Sequence, residues 1–171
     1  MEALHQLIDK ISQYNFLTNI LPGAVLIMTL KYFVGYNFII DGNWFLTGVM
    51  FYFAGVVCNR FSSLLIKPML EALHIVRPLP YKDYIAGEKK DTKILTLNTD
   101  NNAYRAYIAV FCISLLAYLY KHLLSRINFF IDYQWPIVIV LLILLFVFSY
   151  RKQTKYIKDR IEANSRKDIQ E

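Results

Sequence analysis

Four stretches of this chain run without a charged side chain for close to the length a helix needs to cross a bilayer. The hydrocarbon core is about 30 Å thick, so a spanning helix takes roughly 20 mainly apolar residues. In lipid every backbone N–H and C=O has to be paired within the protein, and a helix does this along one segment. Residues 11–30, 42–59, 106–120 and 133–150 are the charge-free stretches. The chain of 171 residues is 56% hydrophobic and 19% charged, against about 25% charge in a soluble domain. These features predict an all-α fold. The expected architecture is a four-helix transmembrane bundle with an N-terminal amphipathic helix and a cytoplasmic helical hairpin.

The chain divides accordingly. Residues 1–15 read as an amphipathic interfacial helix. Leu4, Leu7, Ile8, Ile11 and Tyr14 share one face, with Glu2, Gln6, Asp9, Lys10 and Gln13 opposite. Glu2 and Asp9 stand where a secretory signal would be basic, so no such signal is expected. Residues 16–62 hold transmembrane spans one and two. A bend is expected near residues 15–22, where Asn15, Thr18 and Asn19 precede Pro22 and Gly23, and a turn at Asp41, Gly42 and Asn43. The apolar pattern of span two continues through Leu70, interrupted near Pro68. Residues 63–103 form the cytoplasmic helical segment. The run Arg77-Pro78-Leu79-Pro80 breaks any helix. Residues 81–90 and 91–97 suit two short helices, and Asp100, Asn101 and Asn102 offer N-caps for the next span. Residues 104–150 hold spans three and four, the fourth opening near Trp135-Pro136, and residues 151–171 are a basic cytoplasmic tail.

Lysine and arginine set the orientation. Arg60, Lys67, Arg77, Lys82, Lys89, Lys90, Lys93 and Arg105 lie between spans two and three. Arg151, Lys152, Lys155, Lys158, Arg160, Arg166 and Lys167 follow span four, while Lys31, Lys121 and Arg126 lie toward the other side. An even number of spans puts both termini on one side, and the basic segments then agree on the cytoplasm. The expected location is the cell inner (plasma) membrane, multi-pass, with both termini cytoplasmic. Trp44 and Trp135 fall at the outer ends of spans, where aromatic rings favour the interface. The formal net charge of +6 suits the anionic headgroups of the lipid bilayer. No polar segment carries a basic stripe interleaved with aromatics, so nucleic acid is not an expected partner.

Most chemistry-bearing constellations are missing from the pattern. No span contains Asp or Glu; His5, His74 and His122 do not cluster; Cys58 and Cys112 form no CxxC pair. Haem, metal and redox sites need such groupings. No catalytic residue, metal or cofactor is therefore expected, and the chain is not expected to be an enzyme. Gly87-Glu88-Lys89-Lys90-Asp91-Thr92 lacks the first glycine and the Gly-Lys-Ser/Thr order of a phosphate loop, and reads as a solvated turn. Two features remain. Gly48, Gly55 and Ser62 on span two share one face at seven-residue spacing. Small residues let membrane helices approach closely, either within one chain or between subunits. The second feature is Lys31. It snorkels to the interface if span one starts at Phe16, and lies near mid-bilayer if the span starts at Pro22. An unpaired cation there costs at least ~2.5–3.5 kcal/mol. Arg60, Arg105, Lys121 and Arg151 mark the membrane boundaries.

The middle of the chain has a distinctive order of pieces. Arg60-Phe61-Ser62-Ser63-Leu64-Leu65-Ile66 is followed by Tyr81-Lys82-Asp83-Tyr84-Ile85, then Glu88-Lys89-Lys90-Asp91, then Asn101-Asn102-Ala103-Tyr104-Arg105 before span three. Over residues 40–110 this resembles a set of small four-span bacterial membrane proteins. That set has no established activity, so the resemblance implies an architecture and carries over no functional residue. Proteins of comparable architecture occur as membrane components of bacterial anti-phage systems, an analogy of architecture only. The expected function is that of a self-associating, homo-oligomeric membrane protein that alters permeability in a channel- or pore-like way, with antiviral defence as the setting. The alternative is a membrane anchor or scaffold that recruits a cytosolic protein partner through residues 77–105.

Overall fold

The computed structural model of the chain describes residues 14–77, 81–91, 93–123, 127 and 132–165. Among these, four helices are long and apolar enough to cross a membrane. Helix α1 spans Phe16–Val34, α2 spans Trp44–Ala72, α4 spans Lys93–Leu123 and α5 spans Gln134–Ser165. A shorter helix, α3, occupies Tyr81–Lys90. No strand occurs among the described residues, so the fold is all-α as the apolar stretches predict. Residues 1–13 of the expected N-terminal helix, and the expected break at residues 78–80, lie outside the described residues.

Helices α1 and α2 each run on through a proline. Proline lacks an N–H, and its ring crowds the carbonyl four residues earlier. Before Pro22 the helix widens into a π-turn over Phe16–Ile20, closed by the N–H of Leu21 on the carbonyl of Phe16. Before Pro68 it widens in the same way over Ser62–Ile66, with the N–H of Lys67 on the carbonyl of Ser62. Such local π adjustments are one way a helix re-pairs the backbone groups that a proline leaves over. The bend expected near residues 15–22 and the interruption expected near Pro68 are therefore π-turns inside unbroken helices. A third π-turn, Leu30–Val34, ends α1 at Gly35, whose φ of 85° favours glycine. The turn at Asp41 and Gly42 is present, and Asn43 caps α2 by accepting a 3.0 Å hydrogen bond from the N–H of Leu46.

Helices α1, α2 and α4 make the packed core. Leu26, Leu30 and Val34 meet Cys58 and Ile66 of α2 and Ala109 and Val110 of α4, all buried. Ala103, Ala106 and Ala109 lie buried along α4. Helix α5 is different: 6% of its most apolar stretch is buried, against 39% for α1. It leans on α2, with the Phe146 and Phe53 ring centres 6.3 Å apart. Val138, Ile139, Leu141, Leu144 and Val147 stay exposed. The bundle is thus three packed helices with a fourth at its side. Composition explains this. The apolar part of α5 holds no glycine or alanine to permit close approach, and its one small residue, Ser149, is the one that is buried.

The start of α4 departs from expectation. It begins at Lys93, whose N–H donates to Asp91 Oδ1 at 2.9 Å. Asp100, Asn101 and Asn102, expected as N-caps, lie inside the helix. Their weak helix preference is outweighed by the burial of Ala103 and Ala106 beyond them and by side-chain partners for Asn98 and Asn102. The expected second helix of the hairpin is simply the first turns of α4. The divisions expected at 62–63 and 103–104 accordingly fall inside continuous helices.

Charges and tryptophans mark two levels. Trp44 and Arg60 on α2, Arg105 and Lys121 on α4, and Trp135 and Arg151 on α5 are each sixteen residues apart. That is about 24 Å along a helix. One level is the tryptophan end of the bundle and the other is its arginine end.

Candidate functional site

A cavity of about 1080 Å³ opens at the arginine end, between the end of α2, α3, the first half of α4 and Tyr156 of α5. Helix α2 contributes Ser63, Lys67, Leu70 and Glu71, which share one face at helical spacing. Helix α4 contributes residues from Ile94 to Ile108, among them Asn98, Asn101, Asn102 and Arg105. Helix α3 contributes Asp83, Tyr84 and Gly87. Asn98 Nδ2 donates to the Tyr84 hydroxyl at 3.1 Å and ties α3 to α4. Gly87 lies close to Ile94; a Cβ at this glycine would stand 3.0 Å from Ile94 Cδ1.

Arg105 sits where the cavity meets the packed helices. Its Nε donates to Ser62 Oγ at 3.2 Å and its Nη2 to Asn102 Oδ1 at 3.0 Å. Ser62 donates to the carbonyl of Asn59 at 2.8 Å. Asn59 Nδ2 donates to Asn19 Oδ1 at 3.3 Å, and Asn19 Nδ2 to Asn15 Oδ1 at 3.2 Å. A line of polar side chains therefore runs from the cavity into the seam between α1 and α2. Asn19 and Ser62 on that line are buried. Left unpaired in an apolar setting each would be costly, and the mutual hydrogen bonds remove that cost.

The line reaches the level at which α1 and α2 touch most closely. A Cβ on Gly55 would stand 1.7 Å from the carbonyl oxygen of Asn19, and one on Gly23 would stand 1.8 Å from that of Phe51. Backbone meets backbone there, and only glycine fits at either position. Gly55 and Ser62 are buried. Gly48 is exposed, and a Cβ on it would meet nothing within 4 Å. Helices that cross at an angle diverge on either side of the crossing, and Gly48 is about two turns away from it. The partner of Gly55 is Gly23, which the sequence marks only as part of a bend.

The structure spreads the remaining expected residues over both ends. Lys121 Nζ donates to the carbonyl of Val34 and lies 5.8 Å from the centre of the Tyr36 ring. A cation there faces the negative end of α1 and its unpaired carbonyls. Lys31 lies in the last turn of α1, half-exposed. Arg60 is half-buried beside a small hollow shared with Ser149 and Lys152, and Arg151 is exposed. Lys152, legible in the sequence only as a tail charge, donates to the carbonyl of Ser63 and joins α5 to the π-turn of α2. Thr29 of α1 and Ser114 of α4 share a 2.8 Å hydrogen bond between their hydroxyls. Cys58 is buried in the core, with Cys112 packed against it.

Comparison with known protein families, with curated proteins and with solved structures finds no match to this chain. The site offers recognition: a guanidinium, amides, phenols, two carboxylates and an apolar wall around one volume.

Proposed function

We propose that the chain is a multi-pass protein of the bacterial inner (plasma) membrane that self-associates and alters membrane permeability. Its arginine end and both termini face the cytoplasm. The observation that carries this reading is the polar line from Arg105 through Ser62, Asn59 and Asn19 to Asn15, set among helices of membrane-crossing length. Asn19, opposite Gly55, lies deepest on this line, inside the level of Arg60, and a polar side chain there is expensive and is kept where it binds another or lines a path. The uncovered apolar surface of α5 leaves room for a further copy of the chain beside lipid. The cavity is lined by α2, α3, α4 and Tyr156 of α5, so a ligand bound in it would touch elements tied to three of the long helices. Antiviral defence enters only through the architecture that the middle of the chain resembles.

The test is leak from liposomes that carry a fluorescent ion reporter. The purified chain is expected to raise leak above that of protein-free liposomes. Asn19→Leu, with helicity and oligomer size unchanged, is expected to remove most of the increase. No leak from correctly assembled protein would sink the reading. The alternative, a scaffold, draws on α3, which presents a short helix at the arginine end beside the cavity. Tight binding of a cytosolic protein to residues 77–105 without leak would decide for it.

A further inference from the structure

We propose that the cavity at the arginine end binds a phosphate ester, with the phosphate seated on the guanidinium of Arg105. A guanidinium carries five N–H donors in a rigid fork. Two of them are held by neutral oxygens, Ser62 Oγ and Asn102 Oδ1, which fix the plane of the fork. Among the described residues no carboxylate stands within ion-pair distance of Arg105. Its hydrogen-bond partners are both neutral, with the Glu71 carboxylate acting on it only from farther along the wall, and a half-buried cation so placed favours an anion. The fork matches phosphate with two parallel hydrogen bonds. Lys67 lines the same cavity and is joined, at 3.8 Å, to Glu71 one turn on. Lys152 brings a further positive charge to the carbonyl of Ser63 at the rim.

Size and charge narrow the ligand. A volume of about 1080 Å³ far exceeds one phosphate group, so the phosphate carries a body. Glu71 and Asp83 on the wall offset the charges of Lys67 and Arg105, which suits one phosphate and disfavours a run of them. The amides of Asn98 and Asn101 and the phenols of Tyr84 and Tyr156 suit a polar body. Leu70 and Ile108 suit an apolar one. Two sources share this chemistry. One is a phospholipid headgroup from the inner leaflet, since Arg105 lies about 24 Å along α4 from Lys121, a few ångströms short of the ~30 Å hydrocarbon core, so that its long side chain reaches the headgroup level. The other is a soluble nucleoside phosphate from the cytoplasm. The lipid source rests on the membrane reading above; binding itself does not depend on permeability.

The experiment is native mass spectrometry of the full chain, delipidated in detergent, with two probes offered separately: a short-chain phosphatidylglycerol and adenosine monophosphate. One probe is expected to give one adduct per chain, and which one it is names the source. Lys67→Gln and Asn101→Leu, both at side chains outside the packed core, are each expected to weaken that adduct several-fold. Arg105→Gln is expected to weaken it by about tenfold or more, as loss of a charged hydrogen bond does. Lys121→Gln, at the tryptophan end, should leave it unchanged. Because Arg105→Gln also strips Ser62 and Asn102 of a partner, the other two variants carry the test if it fails to fold. The proposal is overturned if neither probe binds, or if the adduct is equally strong in Lys67→Gln, Asn101→Leu and Lys121→Gln. Leak is read separately, so loss of leak with binding intact counts against the permeability reading alone.

Discussion

At Gly55 a single methyl group separates a close helix crossing from a clash. The atom it would strike is a backbone oxygen, that of Asn19, which cannot rotate away as a side chain can. Gly55→Ala is therefore expected to lower stability by about 1–3 kcal/mol, the range typical of overpacking. Gly48→Ala should be neutral, or stabilising by up to about 1 kcal/mol, because it meets open space and alanine favours a helix. Thermal unfolding of the two variants in one detergent makes the comparison, and equal shifts would show that α1 and α2 do not cross there. Gly55→Leu should likewise cost more than Leu142→Ala, whose side chain is only half-buried on α5. Residue type alone flagged Gly55 and Ser62. It also flagged Gly48, since a seven-residue repeat does not say where a partner helix arrives.

Elements were legible by length and interrupted by local chemistry. The four charge-free stretches correspond to four helices because an apolar segment of that length has few other ways to pair its backbone. What the pattern could not reveal is how α2 passes Pro68. The π-turn over Ser62–Ile66 closes a hydrogen-bonded ring one residue larger than that of an α-turn, so α2 holds one extra residue there. Deleting exposed Leu65 together with Pro68→Ala is expected to restore an α-turn and leave Lys67 and Glu71 on the cavity face. Deleting exposed Phe53 instead should rotate every later residue of α2 by about 100°, one residue's share of a 3.6-residue turn. The first variant should unfold cooperatively near the parent temperature, and the second should not assemble. Similar behaviour of both would mean that the widened turn has no register role. The misplaced N-caps at residues 100–102 teach the converse. Asn102 reads as a helix start until Arg105 is seen to hold its side chain from within α4.

At the scale of the whole molecule, the arrangement of charge makes a topological statement. Arg60, Arg105 and Lys152 are brought to one level by the bonds from Arg105 to Ser62 and from Lys152 to Ser63. Lys121 meets the opposite end of α1. On the proposed orientation, with the arginine end facing the cytoplasm, a cysteine at Lys90 in a variant lacking Cys58 and Cys112 should resist an impermeant thiol reagent in intact cells. One at Asp132 should react. The reverse labelling would invert the topology and move the cavity to the outside. Of the four long helices, α5 is held by the fewest buried contacts within the chain.

The sequence by itself determined the fold class, the number of long apolar helices, the turn at Asp41 and Gly42, and a concentration of positive charge toward one end. Each of these is local: apolar length, turn chemistry and charge counts are properties of neighbouring residues, and the backbone must answer to them whatever lies beside it. Only the tertiary structure decided that Gly23 faces Gly55, that Asn19 reaches Asn59, that Arg105 is held by Ser62 and Asn102, and that α5 stands aside from the other three helices. These pairings join residues far apart in the chain. Asparagine, serine and arginine side chains have many acceptable partners in isolation. The crossing of α1 with α2 and the length of α4 select one set, and with it the cavity that α2, α3 and α4 line.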